Sequence, residues 1–293
     1  MKIVTVTAEP QANYHFQDFP EHLVQGITHL VPDNTRIQGK SFLPTTDDLN
    51  ILNDADLLVV EGGDFTDWTT RIAFLANSLN IPVVLTELAY NSAIPSENPL
   101  PELIGVSANS PYGAENYRKY LGGREDIVIT GHTMLDSLPK WEPIDKTVLC
   151  LSSESLVDDG VALKESIALL EAEGYKVTVR CHPREDKTLW KGYNLSDGSK
   201  LLDELATTNF VIGVAGTAFS AVLAMGIPTV IIKESTADNV LPEYRNIFTY
   251  ASSKDIVKMI ATVKPYHKED IAYITGTIGN ACETIVSFWK SFI

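Results

Sequence analysis

Short runs of β-branched and Leu-rich residues alternate along this chain with longer segments whose apolar positions recur at helical spacing. That alternation is the sequence form of a parallel sheet covered by helices. The apolar runs predict strands over 3–7, 56–61, 82–86, 103–107 and 127–130, and a second series over 147–151, 176–181, 210–213 and 229–232. Between the two series lies "DSLPKWEPIDK", where Pro139 and Pro143 stop helical geometry and no apolar run reaches strand length. The expected class is α/β, with two Rossmann-like, doubly wound parallel-sheet domains facing each other across a cleft. Their expected spans are 1–140 and 144–293, with one long final helix over about 270–289 able to reach back to the first domain.

Local signals support the helices. In "SPYGAENYRKYLGG", Ser110 can cap, Pro111 suits the first helical position, and Gly122 and Gly123 supply a left-handed stop. In "DDGVALKESIALLEAEGYKV", Val161, Leu163, Ile167, Ala168 and Leu170 build an apolar face, and Gly174 ends the helix. Asp158 precedes that helix, where a carboxylate favours the dipole and caps free N–H groups.

Composition narrows the class of partner. Of the 293 residues 44% are apolar and 21% charged, a balance that supports a real core. Against 38 acidic residues stand 23 basic ones, a formal charge of −15, which repels nucleic-acid backbones and anionic lipid at long range. Neither nucleic acid nor membrane is an expected partner. The chain opens directly on a strand and carries no apolar run of membrane-spanning length. Cys150, Cys181 and Cys282 are odd in number and far apart, which suggests neither a disulfide framework nor a metal site. A reduced, cytoplasmic protein is expected, with a homo-oligomer allowed for.

In open α/β sheets, ligands sit beyond the carboxyl ends of strands. Three such ends stand out in the second half. His182 follows the strand in "VTVRCHPRED"; its imidazole could donate to a phosphate oxygen or protonate a departing phosphate, and the Arg184 fork could pair with the same group. The same histidine would serve equally as a strand-end hydrogen-bonding residue. The turn from Gly213 through Gly216 to Thr217, with Ser220 just beyond, has the small residues and hydroxyls of an anion-binding turn, or of a tight packing turn. Ser152 and Ser153 in "LSSES" follow the first strand of the same domain and could face the same ligand.

Taken together, "ITGHTMLD", "RCHPRE" and "GTAFSAVLAMGIP" resemble the GT-B nucleotide-sugar superfamily, in which glycosyltransferases stand beside the non-hydrolysing UDP-N-acetylglucosamine 2-epimerases. "VVEGGDFTDW" and "IPVVLTELAY" extend the resemblance through the first domain, and on that match Asp64 and Glu87 take the places of acidic residues at the sugar end of the epimerase cleft. His132 lies within the first of these motifs. The chain departs from the epimerases at Ser220 and Ala221, where they carry paired glutamates that hold the ribose; a hydroxyl-bearing turn after a His-Pro step is closer to bacterial sialyltransferases and polyol-phosphate polymer transferases.

The resemblance therefore implies a metal-independent glycosyltransferase using a nucleotide-sugar donor, with no further cofactor and an unidentified acceptor. Asp64 ranks first as base, ahead of Glu87, Glu9 and His15, with His182 at the departing phosphate. By position in GT-B proteins, Asp238, Asn239 and Arg245 would contact the nucleotide or sugar. Alternatives are a 2-epimerase-like isomerase and a non-catalytic nucleotide-binding protein.

Overall fold

A computed structural model of the chain describes residues 2–6, 19–25, 27–30, 50–62, 67–87, 100–153, 156–182, 185–214, 216, 218–236, 247–263 and 266–293. It divides into two compact units, Met1–Ser137 with Ala272–Ile293, and Leu138–Ile271.

The first unit is built on a parallel sheet of six strands: β1 (Ile3–Val6), β2 (Ile27–Leu30), β3 (Leu57–Gly62), β4 (Val83–Glu87), β5 (Gly105–Ala108) and β6 (Ile127–Ile129). Their spatial order is β2-β1-β3-β4-β5-β6. Successive side chains along a strand point to opposite faces, so a strand covered on both sides reads as a near-continuous apolar run. Val4, Leu58, Val60, Val83 and Leu85 pack on one face with Ile72 and Ala73 of helix α1 (Asp67–Ser78) and Tyr117 of α2 (Pro111–Tyr120). Ile3, Leu57, Val59 and Val84 pack on the other, against Ile285 and Trp289 near the chain's end.

In the second unit five parallel strands, β7 (Thr147–Leu151), β8 (Lys176–Arg180), β9 (Phe210–Gly213), β10 (Thr229–Ile232) and β11 (Thr249–Ala251), lie in the order β11-β10-β9-β7-β8. Val148, Cys150, Val177, Val179 and Ile212 cluster with Leu163, Ile167 and Leu170 of α3 (Val161–Ala172); Val161 and Ala168, also expected on that apolar face, are exposed. Asp158 holds the start of that helix, its two carboxylate oxygens accepting the N–H groups of Gly160 (3.1 Å) and Ala162 (2.8 Å). The proline-bounded connector is strapped to this unit. Glu142 and Ile144 donate backbone bonds to Ala206 and Thr207, at the end of α4 (Leu201–Thr207), and Trp141 Nε1 donates to the Thr208 carbonyl at 2.7 Å.

Two features differ from the sequence-based expectation. Strands β2 and β11 were not predicted; both are sheet-edge strands, and "ITHL" and "TYA" lack the unbroken apolar run of a strand buried on both faces. The final helix is two helices, α6 (Lys268–Thr275) and α7 (Ala281–Lys290), following α5 (Phe219–Ala224) in the chain. Gly276 breaks it: its φ is +67°, and a β-carbon there would stand 2.1 Å from the Asn109 carbonyl oxygen. Residues 272–293 group with the first unit, and the expected spans had left the final helix able to reach back to it. Burial explains their position: Trp289 is fully buried, stacks on Phe19 at 5.9 Å and donates its indole N–H to Thr86 Oγ1 at 2.8 Å.

Candidate functional site

The carboxyl ends of three neighbouring strands form the candidate site in the second unit. Strand β7 runs between β8 and β9, and its last residue, Leu151, is in register with Arg180 on one side and Gly213 on the other. The chain therefore leaves all three strands at one level. Two backbone bonds keep the departing segments side by side: Ser152 N–H donates to the Arg180 carbonyl (3.0 Å), and Val214 N–H to the Leu151 carbonyl (3.2 Å). Ser152, Ser153 and His182 are half-buried, and Gly216 is exposed. Ser152, His182 and Gly216 thus share one sheet edge.

A residue that was not a sequence candidate organises this edge. Glu185 closes the "RCHPRE" stretch, is 8% exposed, and accepts three hydrogen bonds through its carboxylate. Its Oε1 accepts from Ser152 Oγ at 2.6 Å and from Trp190 Nε1 at 2.7 Å, while Oε2 accepts from the His182 backbone N–H at 3.0 Å. Its own N–H donates to the His182 carbonyl at 2.9 Å. A carboxylate this buried needs such donors to replace lost water. The nearby Cys181 thiol is held above its ordinary range, first by burial and then by the Glu185 charge. In the sequence Glu185 stands among charged residues after a histidine-proline step, and nothing local revealed which donors it would meet.

The geometry revises several expected contacts. Ser152 was expected to face the ligand; its proton goes to Glu185, leaving oxygen lone pairs for that role. Ser220 is fully buried within α5, so its hydroxyl is not presented to a ligand at the sheet edge. Gly213 answers to packing: a β-carbon there would stand 2.3 Å from the Leu151 carbonyl oxygen, so its missing side chain lets β9 approach β7. Gly216 is the open position, since a β-carbon there would meet nothing within 4 Å. The helix after this turn begins at Phe219 and spans six residues, without a side-chain cap bond.

In the first unit, Glu87 ends β4 and is fully buried. Its Oε2 accepts the Asn109 N–H at 2.8 Å, and the carboxylate lies against the start of α2, where a β-carbon on Gly113 would stand 2.2 Å from Oε2. Oriented to satisfy both neighbours, the Asn109 amide donates to the Gly131 carbonyl (3.0 Å) and the Glu87 carbonyl (2.5 Å), tying the ends of β4, β5 and β6. Glu87, expected as a base, is here held at a helix start. His132 is also fully buried; its Nδ1 accepts the Met134 N–H at 3.1 Å and so caps the short turn Thr133–Leu135, which puts the proton of the neutral ring on Nε2. Asp64, Glu9, His15, Arg184, Thr217, Asp238, Asn239 and Arg245 lie outside the described residues. Among the described residues no group of three or more His, Cys, Asp or Glu side chains could hold a metal ion, and no helix is long and apolar enough to cross a membrane.

No family model matches the sequence, and no curated protein sequence matches it. Solved structures do. The chain is similar to the UDP-GlcNAc 2-epimerase of Methanocaldococcus jannaschii, with a TM-score of 0.64 at 15% identity, covering 99% of this chain and 100% of that one. It is similar to S. aureus MnaA, solved with UDP, with a TM-score of 0.62 at 14% identity over 100% and 97% of the two chains. The wall teichoic acid polymerase TagF gives a TM-score of 0.57 at 10% identity over 99% and 88%. The two parallel-sheet α/β units are therefore those of the GT-B-like fold that these proteins share, as the motif resemblance implied.

Proposed function

We propose that this protein is an enzyme acting on a nucleotide-activated sugar, with the nucleotide's phosphates bound at the carboxyl edge of the second sheet. The observation that carries this is the alignment of the β7, β8 and β9 ends, which brings Ser152, His182 and the open Gly216 turn to one edge. A departing or bridging phosphate there would meet the His182 imidazole and backbone amides, and donors fixed before reaction stabilise developing charge most effectively. The similar structures include proteins solved with UDP and with UDP-GlcNAc, which supports a uridine nucleotide as the first ligand to try.

Among the chemistries open to such a site, 2-epimerase-like isomerisation has the broader support, since UDP-GlcNAc 2-epimerases recur among the similar structures. It displaces the glycosyltransferase as the leading expectation. Glycosyl transfer is the second reading, favoured by Ser220 and Ala221 where the epimerases carry paired glutamates, and by the likeness to TagF.

One experiment separates them. Isomerisation at carbon 2 requires a proton to leave one face of the sugar and return to the other. Incubation with UDP-GlcNAc in deuterium oxide should therefore place deuterium at carbon 2 without any acceptor. Consumption of the donor only when an acceptor is supplied, with no deuterium incorporated, would favour transfer. Nucleotide binding with neither outcome would leave a sensor or binding protein.

A further inference from the structure

We infer that Glu185 is the positioning residue of the nucleotide corner, holding His182 in place through its backbone while withdrawing the Ser152 proton from the ligand. This rests on the function proposed above. Three donors from three segments converge on one carboxylate: Ser152 from the end of β7, His182 from the end of β8, and Trp190 from the turn Lys187–Trp190. The reciprocal bond from Glu185 N–H to the His182 carbonyl fixes the histidine backbone on both sides. Glu185 does not itself suit a phosphate, because a like charge repels it. What it supplies is rigidity beside a half-buried imidazole, and placement of a catalytic group matters steeply for function.

The two carboxylate oxygens do different work, which makes the idea testable with a mild change. In Glu185→Gln the amide oxygen can take the place of Oε1 and keep the Ser152 and Trp190 bonds. The amide nitrogen then confronts the His182 N–H, donor against donor. Glu185→Ala would orphan three donors and could unfold the site, so the glutamine variant is the informative one.

Two measurements on the full-length chain decide the matter. Hydrogen exchange at the His182 amide, followed by NMR without ligand, should accelerate at least about tenfold in Glu185→Gln, since a bond to a charged acceptor is lost. UDP affinity by calorimetry should fall by about tenfold, while the Trp190 indole resonance persists. An unchanged His182 exchange rate would overturn the inference, as would faster exchange with UDP affinity intact. If the wild-type chain binds neither UDP nor CDP, the proposed function falls, and the positioning of His182 by Glu185 is then decided by the exchange rate alone.

Discussion

The Asp136 carboxylate accepts the backbone N–H groups of Ala281 at 2.7 Å and Cys282 at 2.8 Å, across 145 and 146 residues of the chain. Both N–H groups lie in the first turn of α7, so Asp136, which follows the turn Thr133–Leu135, supplies a cap that the side chain of the helix's own Asn280 does not. Asp136→Ala should therefore lower stability by about 1–2 kcal/mol, and Asp136→Asn, which keeps an acceptor but loses the charge, by less. Urea unfolding is the measurement. Equal stability of the alanine variant and wild type would show that the cap carries no weight.

Gly113 lies where α2 meets Glu87, and a β-carbon there would stand 2.2 Å from the carboxylate oxygen. Gly113→Ala must push a fully buried carboxylate off the Asn109 N–H or shift the helix, at a cost of about 1–3 kcal/mol. The lowered denaturation midpoint should come with a shifted Asn109 amide resonance. A variant as stable as wild type would mean that this junction yields without strain.

Nucleotide binding should depend on the His182 ring and not merely on its backbone. Because the side chain is half-buried and its backbone bonds survive truncation, His182→Ala should fold with a melting temperature close to wild type. It should bind UDP at least about tenfold more weakly, the usual consequence of losing a charge-assisted contact. Undiminished affinity would remove the ring from the site.

Stability should fall at alkaline pH. Burial pushes the Cys150 thiol above its ordinary value of 9.0, with the Glu185 charge next in effect, and burial likewise raises the Tyr266 phenol above 10.0. The folded chain then keeps protons that the unfolded chain has released. With fewer protons on the unfolded state, unfolding becomes easier as pH rises above the ordinary values, and below them these two groups contribute no slope. Urea midpoints measured upward from neutral pH should hold and then decline above 9.0, and Cys150→Ala should lessen the first part of the decline, to which the raised Cys181 thiol also contributes. A flat alkaline profile would contradict this.

The amino-acid sequence by itself determined the two parallel sheets, because strands such as β3 and β4 are buried on both faces and therefore carry continuous apolar runs, Leu57–Val60 and Val83–Leu85. It also determined the start of α2, where Ser110 Oγ accepts the Gly113 N–H at 3.0 Å and Pro111 follows, since caps are local chemistry. The edge strands β2 and β11 escaped it because an edge strand needs no continuous apolar run. Tertiary structure alone decided what each strand-end side chain does. Ser152 lies 33 residues from Glu185, and Trp289 lies 203 from Thr86, so no local pattern could reveal either bond. Residue type places a hydroxyl or a carboxylate at the end of a strand, but its proton goes to whichever partner the fold brings within reach.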